Sequence, residues 1–97
     1  MATAVTIDLS INPEKVDEFL AIIKEIAPDT RAYDGCQLFD IWKDEDNPGR
    51  VLFYEIWDSR RHQETYLGWR TETGLMDRIG AYLAAPPTIS YYDKFDG

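Results

Sequence analysis

Residues 4–11 alternate without a break: Val5, Ile7, Leu9 and Ile11 fall on one side, Thr6, Asp8 and Ser10 on the other. A period of two belongs to a strand with one buried face. The period then changes. After Asn12, which can cap, and Pro13, which suits the first helical position, Val16, Phe19, Leu20, Ile23, Ile26 and Ala27 recur at spacings of three and four. This predicts a helix over 13–28 that stops at Pro28. Asp34-Gly35 signals a turn, 36–43 reads as a second strand, and Asp44-Glu45-Asp46-Asn47-Pro48-Gly49 reads as a hairpin loop. Residues 51–57, Val-Leu-Phe-Tyr-Glu-Ile-Trp, form a third strand that is apolar on both sides. Asp58 or Ser59 can cap a second helix running to about Trp69, and Leu75, Met76, Ile79, Tyr82 and Leu83 make the stripe of a third beyond Gly74. Pro86-Pro87 stops it, and a last strand over 88–95 sets Ile89, Tyr91 and Phe95 against Ser90, Tyr92 and Lys94.

The order β-α-β-β-α-α-β closes most simply as an α+β, ferredoxin-like fold, a four-stranded antiparallel sheet with its helices on one face. Helices can cover one apolar side of the third strand. The other side would leave a patch larger than soluble monomers usually expose. A second copy pairing sheet face to sheet face is the expected cover, since two-fold homodimers are the commonest oligomers. No repeat, low-complexity tract or linker divides the sequence, so one domain over 1–97 is expected.

Composition narrows the partners. The 44% hydrophobic fraction, with three Trp, six Tyr and four Phe, is enough to fill one core. Eighteen acidic against ten basic residues give a net charge of -8, which repels phosphate backbones and anionic lipid; neither nucleic acid nor a membrane is an expected partner. The lone Cys36 cannot form an internal disulfide, and one Cys with one His is too few for the usual nitrogen and sulfur metal sites. The sequence holds no Gly-rich dinucleotide turn, P-loop or metal-ligand cluster. The N-terminal residues lack a basic segment followed by an apolar one, and no stretch is long enough to cross a bilayer. A cytoplasmic protein without metal or cofactor is the resulting expectation.

From the second strand onward the chain resembles the antibiotic biosynthesis monooxygenase family of dimeric α+β barrel domains. The matching features are Asp34-Gly35-Cys36 entering the second strand, the Asp-rich turn ending Asn47-Pro48-Gly49-Arg50, the strand end Glu55-Ile56-Trp57, and Pro86-Pro87 before a closing strand with Tyr92. The first strand and helix fit the same layout. The resemblance implies a pocket between sheet and helices in each protomer and, for some members, oxidation of a quinol or polycyclic phenol to a quinone without metal, flavin or haem. The electron-rich substrate would supply electrons to dioxygen, while the protein binds it, takes a proton and stabilises the anion. Trp57 matches the strand tryptophan that lines the pocket in quinone-forming members. Phe53 and Gln63 stand where those members place an asparagine and a tyrosine, and Tyr66 where many relatives carry a histidine. Met76 stands near the position of the iron ligand in the haem-degrading branch, so haem cleavage is not expected.

Candidate residues follow. His62, Tyr66 and Trp69 fall at i, i+4 and i+7 of the second helix and would share a face beside Trp57. An imidazole titrates near neutral pH and suits removal of a phenolic proton; His62 can equally be an ordinary surface histidine. Tyr66 and Trp69 can be ligand platforms, core filler or dimer contacts. Arg70 can steady an oxyanion with its fork of donors, or pair with Glu64 or Glu72 on the surface. Glu55, in an otherwise apolar strand, needs a partner or a raised pKa, and either bridges to an Arg or Tyr or acts as acid or base. Asp8 is a weaker version of the same case. The catalytic candidates are thus His62, Arg70 and Glu55, and the candidates for lining a small aromatic molecule are Trp57, Tyr66, Trp69, Asp8, Phe53 and Gln63. Two other functions fit the same residues: a dimeric module that binds an aromatic ligand without chemistry, and a non-oxidative isomerase or lyase.

Overall fold

The computed structural model describes residues 2–96. Strand β1 (Thr3–Ser10) leads through a single 3-10 turn, Pro13–Lys15, into helix α1 (Val16–Ala32). Strands β2 (Cys36–Lys43) and β3 (Arg50–Trp57) form a hairpin, helices α2 (Arg60–Glu72) and α3 (Leu75–Gly80) follow, and β4 (Thr88–Asp93) closes the sheet. The strand order is β2-β3-β1-β4 with every neighbour antiparallel. This is the ferredoxin-like α+β fold expected, with the helices on one face. Among the described residues no helix is long and apolar enough to cross a membrane.

Strand parity builds the core. Val5, Ile7 and Leu9 of β1 and Val51, Phe53, Glu55 and Trp57 of β3 all turn toward the helices and are buried. Register places Val5 opposite Glu55 on one side and Tyr91 on the other, and Phe39 beyond Glu55. A bulge between Cys36 and Leu38 shifts β2 by one residue where it meets the end of β3. From above, α1 seals the layer with Val16, Phe19, Ile22, Ile23 and Ala27.

Helix α1 runs four residues past its expected stop. Pro28 lies inside it on an exposed face, where water can take the carbonyl that the missing N–H leaves unbonded. Burial of Ala27 and Thr30 on the opposite face, and Arg31 donating to the Phe39 carbonyl at 3.0 and 3.1 Å, hold the last turn against β2. At the far end of the chain β4 stops at Asp93, and Phe95, expected to share its inner face, is fully exposed beyond it. Ile11 leaves β1 and makes an isolated bridge with Leu83.

The other sheet face carries no helix. Trp42, Tyr54 and Tyr92 stand on it with 57%, 36% and 51% of their surface exposed, and Leu38, Leu52 and Ile56 between them are half-buried. This is the second apolar side anticipated for the third strand.

Candidate functional site

Between the sheet and the helices lies a cavity of about 270 Å³. Strands β1 and β3 supply its floor through Ile7, Leu9, Phe53 and Glu55, and α1 and α2 contribute Ile23, Ile26, Tyr66 and Leu67. Helix α3 and the approach to β4 complete the wall with Leu75, Met76, Ile79, Leu83, Pro87 and Ile89. Apart from Glu55 and Tyr66, every lining side chain is hydrocarbon or thioether.

Glu55 is placed there by the pleat: residues i and i+2 of a strand share a face, so Glu55 and Trp57 point the same way. The Trp57 indole Nε1 donates to Glu55 Oε1 at 2.7 Å. Glu55 is 1% exposed, and Oε2 has no hydrogen-bond partner among the described residues. A carboxylate stripped of water and repaid by one neutral N–H holds its proton more tightly. Burial therefore raises the Glu55 pKa from 4.5 to about 7, with the indole bond pulling weakly the other way.

Helix α2 is capped by Ser59, whose Oγ accepts from the His62 backbone N–H at 3.2 Å. Its inward edge is Gln63, Tyr66 and Arg70, all buried. The Tyr66 hydroxyl is held by Arg70 Nε at 2.8 Å and lies 2.6 Å from Thr30 Oγ1. Arg70 Nη2 also donates to Thr30 Oγ1 at 3.1 Å and to the Ile26 carbonyl at 3.2 Å. The guanidinium stacks over Trp69, 4.4 Å from the ring centroid. Burial raises the Tyr66 pKa against the opposing pull of Thr30 and Arg70, so the phenol stays protonated at neutral pH. Gln63 accepts from the Tyr91 hydroxyl at 2.7 Å, while its Nε2 is buried without a partner among the described residues.

The structure brings Glu55, Phe53 and Tyr66 together on the cavity wall. Trp57 is completely buried behind it and acts on Glu55. Gln63 and Arg70 lie on the inward edge of α2 without lining the cavity, and Trp69 packs on Tyr33 with centroids 5.1 Å apart. Tyr66 and Trp69 keep their expected common face, both packing on Tyr33, but of the expected stripe of His62, Tyr66 and Trp69 only Tyr66 reaches the cavity. With Gln63 and Tyr66 turned inward, His62 lands in a shallow surface pocket with Tyr33, Asp34, Arg61 and Thr65. Its Nδ1 is 2.7 Å from Ser59 Oγ and its Nε2 is 3.9 Å from Asp34. Asp8 is even-numbered in β1 and so emerges on the helix-free face, ion-paired to Arg50 at 2.7 Å. Two expected pairings are also replaced: Arg70 meets hydroxyls and a carbonyl rather than Glu64 or Glu72, and Glu55 meets an indole rather than an Arg or Tyr.

Sequence pattern does not mark Thr30 or Tyr91 as polar partners, and it gives Leu75, Met76, Ile79 and Leu83 as an apolar stripe without placing them on the cavity. A helix read as ending at Pro28 conceals Thr30, and Tyr91 and Gln63 are separated by 28 residues.

Residues 3–72 match the family model described as antibiotic biosynthesis monooxygenase. The uncharacterized protein sll1783 of Synechocystis is 24% identical over 85 residues, covering 88% of this chain; the chain spans 58% of that relative's length. Among solved structures, Rv0793 from Mycobacterium tuberculosis superposes with a TM-score of 0.87 at 22% identity, covering 100% of this chain and 98% of its own. A conserved protein from Methanosarcina mazei Go1 gives 0.88 at 21%, covering 97% and 93%. These two speak to the fold alone. A structure described as an antibiotic biosynthesis monooxygenase gives 0.86 at 25% identity, covering 99% and 100%.

Proposed function

The chain belongs to the antibiotic biosynthesis monooxygenase family, and on that premise we propose that it is an oxidoreductase acting on a phenolic or quinol-type aromatic held under the helices. The observation that carries the reading is Glu55: a carboxylate on the wall of an apolar cavity, with one oxygen unengaged and a pKa of about 7. A general base works best when its pKa lies near the working pH, where it is ionised in useful amount and still basic enough to take the proton.

In this reading the ring hydroxyl donates to Glu55 Oε2 and passes its proton there. The phenolate is electron-rich and reacts with dioxygen without further activation by the protein. One oxygen atom bonds to ring carbon, the O–O bond breaks, and the other atom leaves as water, taking up the proton held by Glu55 and the hydrogen displaced from carbon. The sum is a phenol plus O2 giving a quinone plus H2O. Trp57 holds the carboxylate in place, and Tyr66, fixed by Arg70 and Thr30, is a rigid wall. Proton removal by a positioned group contributes about 10²–10⁴-fold. His62, outside the cavity, takes no part.

Members of the family are typically dimeric, and the exposed Trp42, Tyr54 and Tyr92 support a homodimer closed through the helix-free faces. Sedimentation at micromolar concentration should find a species near twice 11.2 kDa; a folded monomer alone would refute the pairing.

The reaction is tested with an oxygen electrode and a panel of naphthols and other monohydric phenols, backed by ¹⁸O₂ labelling. Expected is uptake above the protein-free rate with one labelled atom in the quinone. No uptake with any substrate overturns the oxidative reading.

A further inference from the structure

The cavity wall carries a more specific message than its size. Tyr66 offers it a ring, since the hydroxyl is occupied by Arg70 and Thr30. Arg70 is not on the wall, and its Nε and Nη2 are bonded to Tyr66, Thr30 and the Ile26 carbonyl. That leaves Glu55 Oε2 as the polar atom with free bonding capacity, at one end of an otherwise hydrocarbon enclosure. No cation lines the cavity among the described residues, and a ligand carboxylate would meet Glu55 as a like charge.

We propose that this site selects a neutral aromatic with its hydrogen-bonding oxygen at one end only, a monohydric phenol whose hydroxyl donates to Glu55 Oε2. Both parts of the wall are needed for the selection. A ligand without a hydroxyl would cover Glu55 Oε2 and leave it unbonded; one with a second hydroxyl at the far end would bury a polar group against Ile, Leu and Met, and either mismatch weakens binding by about tenfold or more. At an interior packing density of about 0.75, the cavity holds about 200 Å³ of ligand, the bulk of two or three fused rings. The inference takes its phenol chemistry from the proposed oxidation but concerns binding alone.

The test is equilibrium binding to the wild-type chain at pH 8, by titration calorimetry, of 2-naphthol, naphthalene, 2-naphthoate and 2,6-dihydroxynaphthalene. The expected result is that 2-naphthol binds at least about tenfold more tightly than each of the other three, the ratio that corresponds to 1.4 kcal/mol. In Glu55→Leu the advantage over naphthalene should vanish; if that variant does not fold, Glu55→Gln, which cannot carry the charge, should narrow the gap between 2-naphthol and 2-naphthoate. Equal binding of naphthalene, tighter binding of the diol or the acid, no binding by any of the four, or an unchanged order in the variants would each overturn the proposal. If the order holds and oxygen uptake is never seen, the selectivity stands and the oxidative reading fails.

Discussion

Asp8 and Glu55 occupy adjacent strands of one sheet and differ by a single step of parity. Asp8 emerges on the helix-free face, where two guanidinium nitrogens of Arg50 bond its two oxygens at 2.7 and 3.2 Å. Those bonds hold its carboxyl below the usual range. Glu55 turns inward, exchanges water for one indole N–H, and is pushed up to about 7. The same functional group thus becomes a permanent anion on one side and a titrating group at neutral pH on the other. What the chain supplies around each carboxylate, more than the carboxylate itself, decides which can exchange protons.

The largest expected effect lies in breaking the inner half of that contrast chemically. Glu55→Gln keeps the shape and removes the base; oxygen uptake with an active phenol should fall by about 10²–10⁴-fold, whereas Asp8→Asn should leave it unchanged. In the wild type, kcat/KM should rise with pH through about 7, the range in which Glu55 ionises.

Stability comes next. Because folding raises the Glu55 pKa from 4.5 to about 7, the native state binds more protons than the unfolded state between those values. Its stability therefore falls as pH rises through that window, by about 3 kcal/mol in all from a shift of two to three units. Above pH 8 Glu55→Gln should unfold at higher urea than wild type, and the two should converge below pH 4.5. Asp8, with its pKa lowered, has the opposite sign: its contribution is present above the unfolded-state value and is lost as pH falls through the folded one.

Smaller again is the effect of Trp57→Phe, which keeps the aromatic packing and deletes the N–H given to Glu55. The pH profile of kcat/KM should move upward by about one to two units, since a bond to a charged acceptor is worth about 1.5–3 kcal/mol. A purely structural tryptophan would alter stability and leave that profile in place. At the bottom, Asp8→Asn breaks an exposed ion pair that salt already screens, and urea titration should not resolve it from wild type.

Much of this contrast is legible in the sequence. The two-residue period of β1 and the doubly apolar β3 fix which side chains share a face, so the sheet, the helices on one side and a second, uncovered apolar face follow from pattern, whereas only the structure shows that Trp42, Tyr54 and Tyr92 stand exposed on it. Glu55 stood out as a carboxylate in an apolar strand. Its partner did not, because a strand residue reads equally well with an arginine, a tyrosine or the indole two residues on. The place of His62 is hidden from the sequence for a related reason. Helix α2 has polar residues on nearly every side, so periodicity cannot fix its rotation; that is set by Gln63 reaching Tyr91 and by Tyr66 and Arg70 reaching Thr30, contacts distant in sequence. Local propensity makes Pro28 a stop, and only the packing of Ala27 and Thr30 beneath it carries the helix on.

The rotation of α2 is locked from outside as well. Gly35 has a φ of 89°, and a methyl group added there would sit 2.5 Å from the His62 ring. Any larger residue should push the start of α2 off the sheet, so a library at this position should return glycine.

The enclosure under the helices is also assembled in two instalments. Its ionising end is complete by Leu67, whereas Leu75 through Ile89 furnish the remaining wall as one uninterrupted stretch beyond Gly74, whose φ of 83° marks the joint. Exchanging that stretch as a cassette would recut the shape a guest must have while leaving the proton-handling group untouched, so new guest preferences are open to this scaffold without rebuilding its chemistry.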